Sequence, residues 1–275
     1  MRQVLRLPFS PRHLALLPIS LVMLLPLAWM LITSIQTLPE TRHFPPHLIP
    51  SGIHWRNYPD ALNSAPFGRF FLNSFIVTGA SVVGNLVFCS LAGYAFARLR
   101  FFGRDVLFVV LLATLMVPFQ VVMIPTFLIV HDLGLVNSLG ALILPNLVTP
   151  FGIFLLRQFF RTLPIELEEA ARIDGCSRLG VLFRVVLPLS MPAMATLAIV
   201  TFLWTWNDFL WPLIVITSPD KSTVQLGLAS FQGAHQTNWP QLMAGNMAAL
   251  APMLIVFVVA QRWFVQSLAS SGVKG

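Results

Sequence analysis

A group of carboxylates between two long apolar runs is the part of this sequence best suited to hold a partner protein. Glu166, Glu168 and Glu169 fall within four residues, where negative charge stabilises the positive N-terminal end of a helix. Gly175 follows at the distance expected of a left-handed C-terminal cap. Ser177 can then cap a second helix. The spacing therefore predicts two short helices joined by a turn.

The first of these helices has two chemically different faces when its residues are placed at about 100° intervals. The apolar face holds Leu163, Leu167, Ala170 and Ala171, and the solvated face holds Glu166, Glu168 and Arg172. Ile165, Glu169 and Ile173 form a stripe at i, i+4 and i+8 on the solvated side. Exposed isoleucines beside a carboxylate indicate docking on a partner, whereas a helix lying on lipid headgroups is expected to carry Lys and Arg.

The rest of the chain is apolar enough to require lipid as its solvent. Of 275 residues 56% are hydrophobic and 10% are charged, against about 25% charged residues in soluble domains. Apolar runs of roughly 17–25 residues predict an all-α integral membrane protein with six transmembrane helices in a single domain over residues 1–275. The predicted spans are 14–35, 71–97, 106–130, 139–156, 186–216 and 244–264, and the acidic segment lies in the connecting loop 157–185.

Charge predicts the orientation of these spans. If the N-terminus is cytoplasmic, 13 of the 17 Lys and Arg residues fall in cytoplasmic segments, as the positive-inside rule requires. Both termini of this multi-pass chain are therefore expected in the cytoplasm. The net charge of +7 is explained by topology, so nucleic acid is not an expected partner.

Polar residues within the predicted spans suggest a solute path or gate. Asp208 is the only acid well inside a predicted span, and an ionisable group at that depth should face protein or water. Trp206 and Asn207 stand beside it, and Trp204, Trp206 and Trp211 could stack on a sugar ring. The amides on other spans are Gln120, Asn85, Asn146 and Asn246. The alternative is that these residues only form hydrogen bonds between helices.

Catalytic and metal-binding motifs are not found. The phosphate-binding pattern GxxxxGK[ST] does not occur, and the only lysines are Lys221 and Lys274. The six histidines form no HExxH pattern and no spaced metal cluster. The sequence therefore predicts a protein that is not an enzyme, with no cofactor or metal bound by this chain.

The acidic segment resembles the EAA loop of binding-protein-dependent ABC importer permeases. The matching residues are Glu169, Ala170, Ala171, Asp174, Gly175, Leu187 and Pro188. The run Trp206-Asn207-Asp208-Phe209 is similar to the carbohydrate branch, and in particular to the second permease subunit of the maltose-type family. The resemblance covers nearly the whole chain.

This resemblance implies a type I ABC importer permease fold and a sugar importer that works by alternating access. It makes the seven matching residues candidates for coupling to an ATPase, and the helical wheel adds Ile165 and Ile173. The implied partners are a second homologous permease, two cytoplasmic ABC ATPase subunits that use ATP and Mg²⁺, an extracytoplasmic solute-binding protein near the loop 217–242, and membrane lipid. The implied location is the cytoplasmic (inner) membrane of a bacterium or archaeon.

Three alternatives remain open from sequence. An ABC importer for another solute, such as glycerol phosphate, would carry a similar segment. A secondary transporter driven by an ion gradient would need more intramembrane acids than Asp208. A membrane anchor without a solute path would leave the intramembrane polar residues unexplained.

Overall fold

The computed structural model describes residues 11–45, 47–232 and 237–271, which are helical over most of their length. Residues 233–236 of the predicted outer loop, and both chain ends, lie outside the described residues. The chain divides into two compact units, and the single domain over residues 1–275 stays a prediction.

The first unit comprises the described residues of Met1–Ala65 and Leu228–Leu250. It contains the helices α1 (Pro11–Ser34), α2 (Leu38–Arg42) and α3 (Asn57–Asn63). Asn57 ties α3 back to the end of α1, because its amide donates to the carbonyls of Ser34 (2.9 Å) and Gln36 (2.8 Å). The stretch after the first predicted span is therefore partly helical and hydrogen-bonded.

The second unit comprises the described residues of Pro66–Gly227 and Ala251–Gly275. Helix α4 (Phe67–Gly84) continues through a π-helical turn (Asn85–Cys89) into α5 (Ser90–Arg98). The helices that follow are α6 (Arg104–Thr114), α7 (Phe119–Asp132), α8 (Leu139–Ile143), α9 (Pro150–Thr162), α10 (Glu166–Ile173), α11 (Arg178–Val181), α12 (Leu187–Leu189), α13 (Met191–Trp206), α14 (Leu210–Val215), α15 (Val224–Leu228) and α16 (Trp239–Ser271). The last residue of α15 and the residues of α16 up to Leu250 belong to the first unit. A second π-helical turn, Leu182–Val186, connects α11 to α12.

A close contact between α5 and α9 builds the core that supports the acidic segment. A Cβ at Gly93 would lie 3.2 Å from the Cβ of Leu156 and 3.2 Å from the backbone nitrogen of Arg157, so only glycine allows this approach without a shift. Leu156, Phe160 and Leu182 are completely buried in the resulting cluster. The apolar spacing of Leu156 and Phe160 at i and i+4 explains why α9 presents this face.

Among the described residues, four helical stretches are long and apolar enough to cross a membrane, and there are as many as six if each bent pair counts as one span. The four stretches are Leu16–Ser34, Phe67–Arg98, Leu139–Thr162, which contains α8 and α9, and Trp239–Ala260. The fourth predicted span therefore continues as a helix through Thr162, into the predicted loop 157–185. The sixth begins earlier than predicted, at Trp239.

Two predicted spans are bent rather than continuous. The third consists of α6 and α7, which meet at 104°, and Pro118 in an extended conformation precedes α7. Proline disfavours helical geometry in the residue before it, which explains the break. The fifth is bent by 82° between Leu189 and Met191, where Pro192 occupies the first turn of α13. It also ends at Trp206, so α14 is a separate helix within the predicted range 186–216.

Candidate functional site

The turn after α10 has the left-handed cap that the sequence predicts. Gly175 has φ +87°, a conformation that costs glycine little and other residues much more. The nitrogen of Cys176 donates to the carbonyl of Ala171 (3.0 Å), and the nitrogen of Gly175 donates to the carbonyl of Arg172 (3.1 Å). These two hydrogen bonds form a Schellman motif. The geometry of the turn is therefore fixed by the backbone.

The second short helix begins as predicted and leads toward the core. The hydroxyl of Ser177 accepts a hydrogen bond from the nitrogen of Gly180 (3.1 Å), which caps the start of α11. Beyond the second π-helical turn, Leu187 is half-buried against the α5–α9 core, while Pro188 is exposed. The chain from the glycine turn to α12 thus connects an exposed helix to the protein interior.

The position of Glu168 differs from the prediction. Sequence places it on a solvated face, but it is only 5% exposed. Its Oε1 lies 2.6 Å from Nε of Arg98 at the end of α5, and its Oε2 accepts a hydrogen bond from the hydroxyl of Tyr94 (2.9 Å). Arg98 also donates to the carbonyl of Leu163 (2.6 Å). Glu168 therefore attaches α10 to α5, because a buried carboxylate is stable only when it is paired.

Apart from Glu168 and Ala171, the residues of α10 are exposed, and several of them are apolar. Ile173 is 87% exposed, and Ile165 and Leu167 are also exposed. Leu167 was expected on the packed face, so the apolar outer surface is larger than predicted. Of the other candidate coupling residues, Glu169, Ala170 and Asp174 are exposed, and Ala171 is half-buried against the core.

A cavity of about 330 Å³ opens beside the Arg98–Glu168 pair. Its charged lining residues are Arg98, Arg100, Arg172, Arg178, Glu168 and Glu169. The site therefore combines a charged recess with an exposed apolar surface on the same short helix.

A second cavity, of about 520 Å³, lies at the break between α13 and α14. Its lining residues are Phe119, Pro145, Asn146, Leu203, Trp204, Thr205, Asn207, Asp208 and Trp211. Three of the predicted path residues, Asn146, Asn207 and Asp208, are thus brought together on one surface. The aromatic rings of Phe119, Trp204 and Trp211 complete it.

Hydrogen bonds within this second cavity hold the helix break. Asp208 Oδ1 accepts from the nitrogen of Trp211 (3.3 Å) and so stabilises the first turn of α14. The amide of Asn207 donates to the carbonyl of Leu203 (2.8 Å). Sequence hydropathy cannot find this break, because the apolar character continues on both sides of it.

Asn85 and Trp206 do not line this cavity. Asn85 is completely buried, and its amide donates to the carbonyl of Asn146 (2.7 Å) while its Oδ1 accepts from the hydroxyl of Thr149 (2.7 Å). Trp206 is buried beside Phe75 and Phe202, with ring centroids 4.9 Å and 5.5 Å away. Both residues are packed among other helices, and a role for them in a solute path stays a prediction.

The remaining two predicted path residues lie elsewhere. Gln120 is exposed in the first turn of α7, next to the lining residue Phe119. Asn246 belongs to the first unit, and its amide donates to the carbonyl of Leu242 (2.9 Å).

Sequence reasoning missed Arg98, Tyr94 and Phe119 as parts of these two sites. Arg98 and Tyr94 are 70 or more positions before Glu168, and Phe119 is 89 positions before Asp208. No local pattern connects such distant residues. Among the described residues, no group of three or more His, Cys, Asp and Glu side chains could hold a metal ion.

Comparison with known proteins identifies the family. A family model described as binding-protein-dependent transport system inner membrane component matches residues 85–270. The arabinooligosaccharides transport system permease protein AraQ of Halalkalibacterium halodurans is 42% identical over 209 residues, which cover 76% of this chain and 75% of that protein. The sn-glycerol-3-phosphate transport system permease protein UgpE of Pectobacterium atrosepticum is 37% identical over 267 residues, covering 94% and 95%.

A solved structure supports the same assignment. One chain of a bacterial ABC transporter involved in the import of the acidic polysaccharide alginate superimposes with a TM-score of 0.82 at 26% identity. The match covers 94% of this chain and 100% of that chain. The chain therefore belongs to the family of binding-protein-dependent transport system inner membrane components, and it is an all-helical permease subunit of an ABC importer.

Proposed function

We propose that this permease imports a neutral sugar or oligosaccharide, and that ATPase subunits drive the transport by binding α10 and the turn that follows it. In this proposal the partner ATPases use ATP and Mg²⁺, and this chain supplies the membrane path. The single observation that carries it is the two-sided construction of α10: an exposed outer surface around Ile173 and an inner side fixed by Glu168.

The outer surface of α10 suits a protein groove. Ile165 and Ile173 expose apolar surface in one stripe with the carboxylate of Glu169, and Leu167 is exposed on another face of the helix. Exposed apolar side chains with polar neighbours are typical of interaction sites. The exposed Ala170 adds little bulk, so a partner can approach the helix backbone closely.

The inner side of α10 can transmit movement. The pair between Glu168 and Arg98 connects α10 to the end of α5, while α11 and Leu187 connect it to α13. A push on α10 would therefore move two long helices together. Closure of the ATPase subunits would be converted in this way into opening of the helix bundle.

The cavity at the break between α13 and α14 favours a neutral solute. Its lining residues include no Lys or Arg, and Asp208 contributes a carboxylate that would repel a phosphate. Trp204 offers an exposed ring for stacking on a sugar. Glycerol phosphate, the solute named for UgpE, is the alternative, and it would require cationic groups from a partner permease.

The assembly follows from the same proposal. A second homologous permease, two ATPase subunits and a solute-binding protein would complete the importer. The abundance of Lys and Arg in the segments that include α10 supports a cytoplasmic position for this helix. The solute-binding protein would then meet the opposite face of the membrane.

Docking on the ATPase is tested by Ile173→Asp. A charge placed at the most exposed isoleucine of this surface should abolish co-purification of the ATPase with the permease, because the carboxylate must be desolvated on docking. Ile53→Asp is the matched control, since Ile53 is similarly exposed but lies in the first unit. Retention of the ATPase by the Ile173 variant would contradict the proposal.

The solute class is tested with the complete importer in liposomes. A panel of neutral oligosaccharides, delivered with the cognate binding protein, should stimulate ATP hydrolysis, whereas glycerol phosphate should not. Asp208→Asn keeps the oxygen that caps α14 but removes the charge, so the helix break should persist while uptake falls. Stimulation by glycerol phosphate alone would reverse the assignment, and unchanged uptake by the variant would make Asp208 purely structural.

A further inference from the structure

A third cavity, of about 350 Å³, lies between the start of α6 and the end of α9. It is lined by Phe96, Ala97, Arg104, Asp105, Arg157 and Arg161. None of these residues lines either cavity described above. Docking on the ATPase and solute passage therefore leave this basic recess unexplained.

The recess carries uncompensated positive charge. Asp105 is its only acid, and that carboxylate is paired with Arg104 at 2.9 Å. Within the described part of the chain, no carboxylate lies within 4 Å of Arg157 or Arg161. Two guanidinium groups thus remain without a counter-charge around one concave surface.

Of these two arginines, Arg157 has the greater need of a counter-charge, because it is only 9% exposed. Its protein partners are all uncharged: the carbonyl of Phe96 (3.3 Å), the side-chain oxygen of Gln158 (3.4 Å) and the ring of Phe108 (3.7 Å from the guanidinium carbon to the ring centroid). A nearly buried cation is costly unless an anion pairs with it. The lining position of Arg157 leaves the cavity as the place for that anion.

The location of the recess indicates the source of the anion. Arg104 is the first residue of α6, and Arg157 and Arg161 lie in the last turns of α9, so all three are at the ends of membrane-spanning stretches. Farther along α6, on its outer side, the apolar side chains of Val106, Val109 and Val110 are exposed. This arrangement matches a lipid, with a charged head in the recess and acyl chains along the helix.

We propose that Arg157 and Arg161 bind the phosphate of an anionic phospholipid headgroup, beside the pair formed by Arg104 and Asp105. Guanidinium groups pair with phosphate oxygens through two parallel hydrogen bonds, which suits a site with two arginines that lack an ion-pair partner. Membrane topology alone does not explain the recess, because the positive-inside rule requires charge near the span ends but neither concavity nor burial.

The test uses the complete importer in nanodiscs of phosphatidylcholine with a minor fraction of phosphatidylglycerol. Wild-type importer should retain phosphatidylglycerol through native mass spectrometry. Arg161→Gln should lower this retention roughly fivefold, the effect expected for one basic residue at an anionic lipid surface. Arg161 is exposed, so the variant should fold, whereas Arg157→Gln tests the buried cation at some risk to folding.

Controls separate lipid binding from the alternatives. Arg184→Gln removes the same charge from an exposed position outside the cavity and should leave retention unchanged. Equal retention by the Arg161 and Arg184 variants would overturn the proposal. Protection of the site by inorganic phosphate in lipid-free detergent, with no preference for phosphatidylglycerol in nanodiscs, would assign it to free phosphate instead. Loss of a partner subunit without loss of lipid would assign it to a protein contact.

Discussion

The glycine turn after α10 and the break between α13 and α14 both interrupt helices, but they are held in different ways. At Gly175 the backbone closes the turn through two hydrogen bonds and a left-handed residue. At residues 207–209 the φ angles are negative, and the side chains of Asn207 and Asp208 add hydrogen bonds to those of the backbone. The first interruption therefore depends on a left-handed residue, whereas the second has ordinary backbone angles and additional hydrogen bonds from polar side chains.

The chemistry around the two interruptions differs in the same direction. Beside α10 a buried ion pair fixes one helix against another, with Glu168 and Arg98 2.6 Å apart. Around the break at 207–209 the lining is aromatic and amide-rich, with a single carboxylate. Transmission of force requires a fixed attachment, whereas passage of a solute requires contacts that are individually weak. In the proposed mechanism, the chain assigns these two requirements to separate regions.

The largest loss of stability and of ATPase coupling is expected from breaking the ion pair between Glu168 and Arg98. Glu168→Gln should leave the charge of Arg98 buried without a counter-charge, a loss of about 3–5 kcal/mol for a well-buried pair. The segment around α10 should then become sensitive to limited proteolysis, and solute-stimulated ATP hydrolysis should be lost. Both are measured on purified, reconstituted importer.

Two further variants make this prediction specific. Glu166→Gln removes an exposed carboxylate from the same helix and should change neither readout. The double variant Arg98→Gln and Glu168→Gln should resist proteolysis better and keep more stimulated ATP hydrolysis than Glu168→Gln alone, because no unpaired charge remains. Full stimulation in Glu168→Gln would show that the ion pair does not carry coupling.

The next largest effect is expected at the glycine turn. Gly175→Val forces a β-branched residue to φ +87°, at a cost of about 1–3 kcal/mol. No atom lies within 4 Å of the added Cβ, so backbone strain and not a clash is being tested. The strained turn should change the direction of α11 and so uncouple ATP hydrolysis from uptake. Uncoupling is measured as the number of ATP molecules consumed per solute imported.

Gly134→Val is the matched control for this substitution. Gly134 also has a positive φ of +67° and open space around its Cβ, but it lies between α7 and α8. The two variants should lose similar stability, while only the Gly175 variant should raise the ratio of ATP to solute. Equal ratios would mean that the turn matters for folding alone.

The predictability of the two regions from sequence follows from the range of the interactions that form them. Gly175 and Ser177 act on residues within four positions, so their turn and cap are readable from spacing, and the structure confirms both. The burial of Glu168 is not readable, because its partners Arg98 and Tyr94 come from another helix. A helical wheel places a carboxylate on the solvated side when no partner is known.

The solute cavity shows the same limit more strongly. Hydropathy identifies apolar stretches and marks Asn207 and Asp208 as unusual, but it treats 186–216 as one span. The break at 207–209 and the approach of Phe119 arise from tertiary packing. The separation of Asn85 and Trp206 from the cavity likewise depends on which face of each helix packs inward.

The smallest effect is expected in the cavity, where Trp204→Ala removes one exposed ring. Trp204 is 57% exposed and its indole meets Phe151 edge to face, with ring centroids 5.4 Å apart, so the substitution should cost little folding stability. Loss of one aromatic contact of about 0.5–1.5 kcal/mol should raise the KM for uptake roughly two- to tenfold. The ratio of ATP to solute should stay at its wild-type value, because the attachment of α10 is untouched.

Trp204→Phe keeps an aromatic face and should recover most of the affinity. If Trp204→Ala instead uncoupled ATP hydrolysis as Gly175→Val does, the two regions would not be functionally separate, and the cavity would have to be treated as part of the coupling machinery.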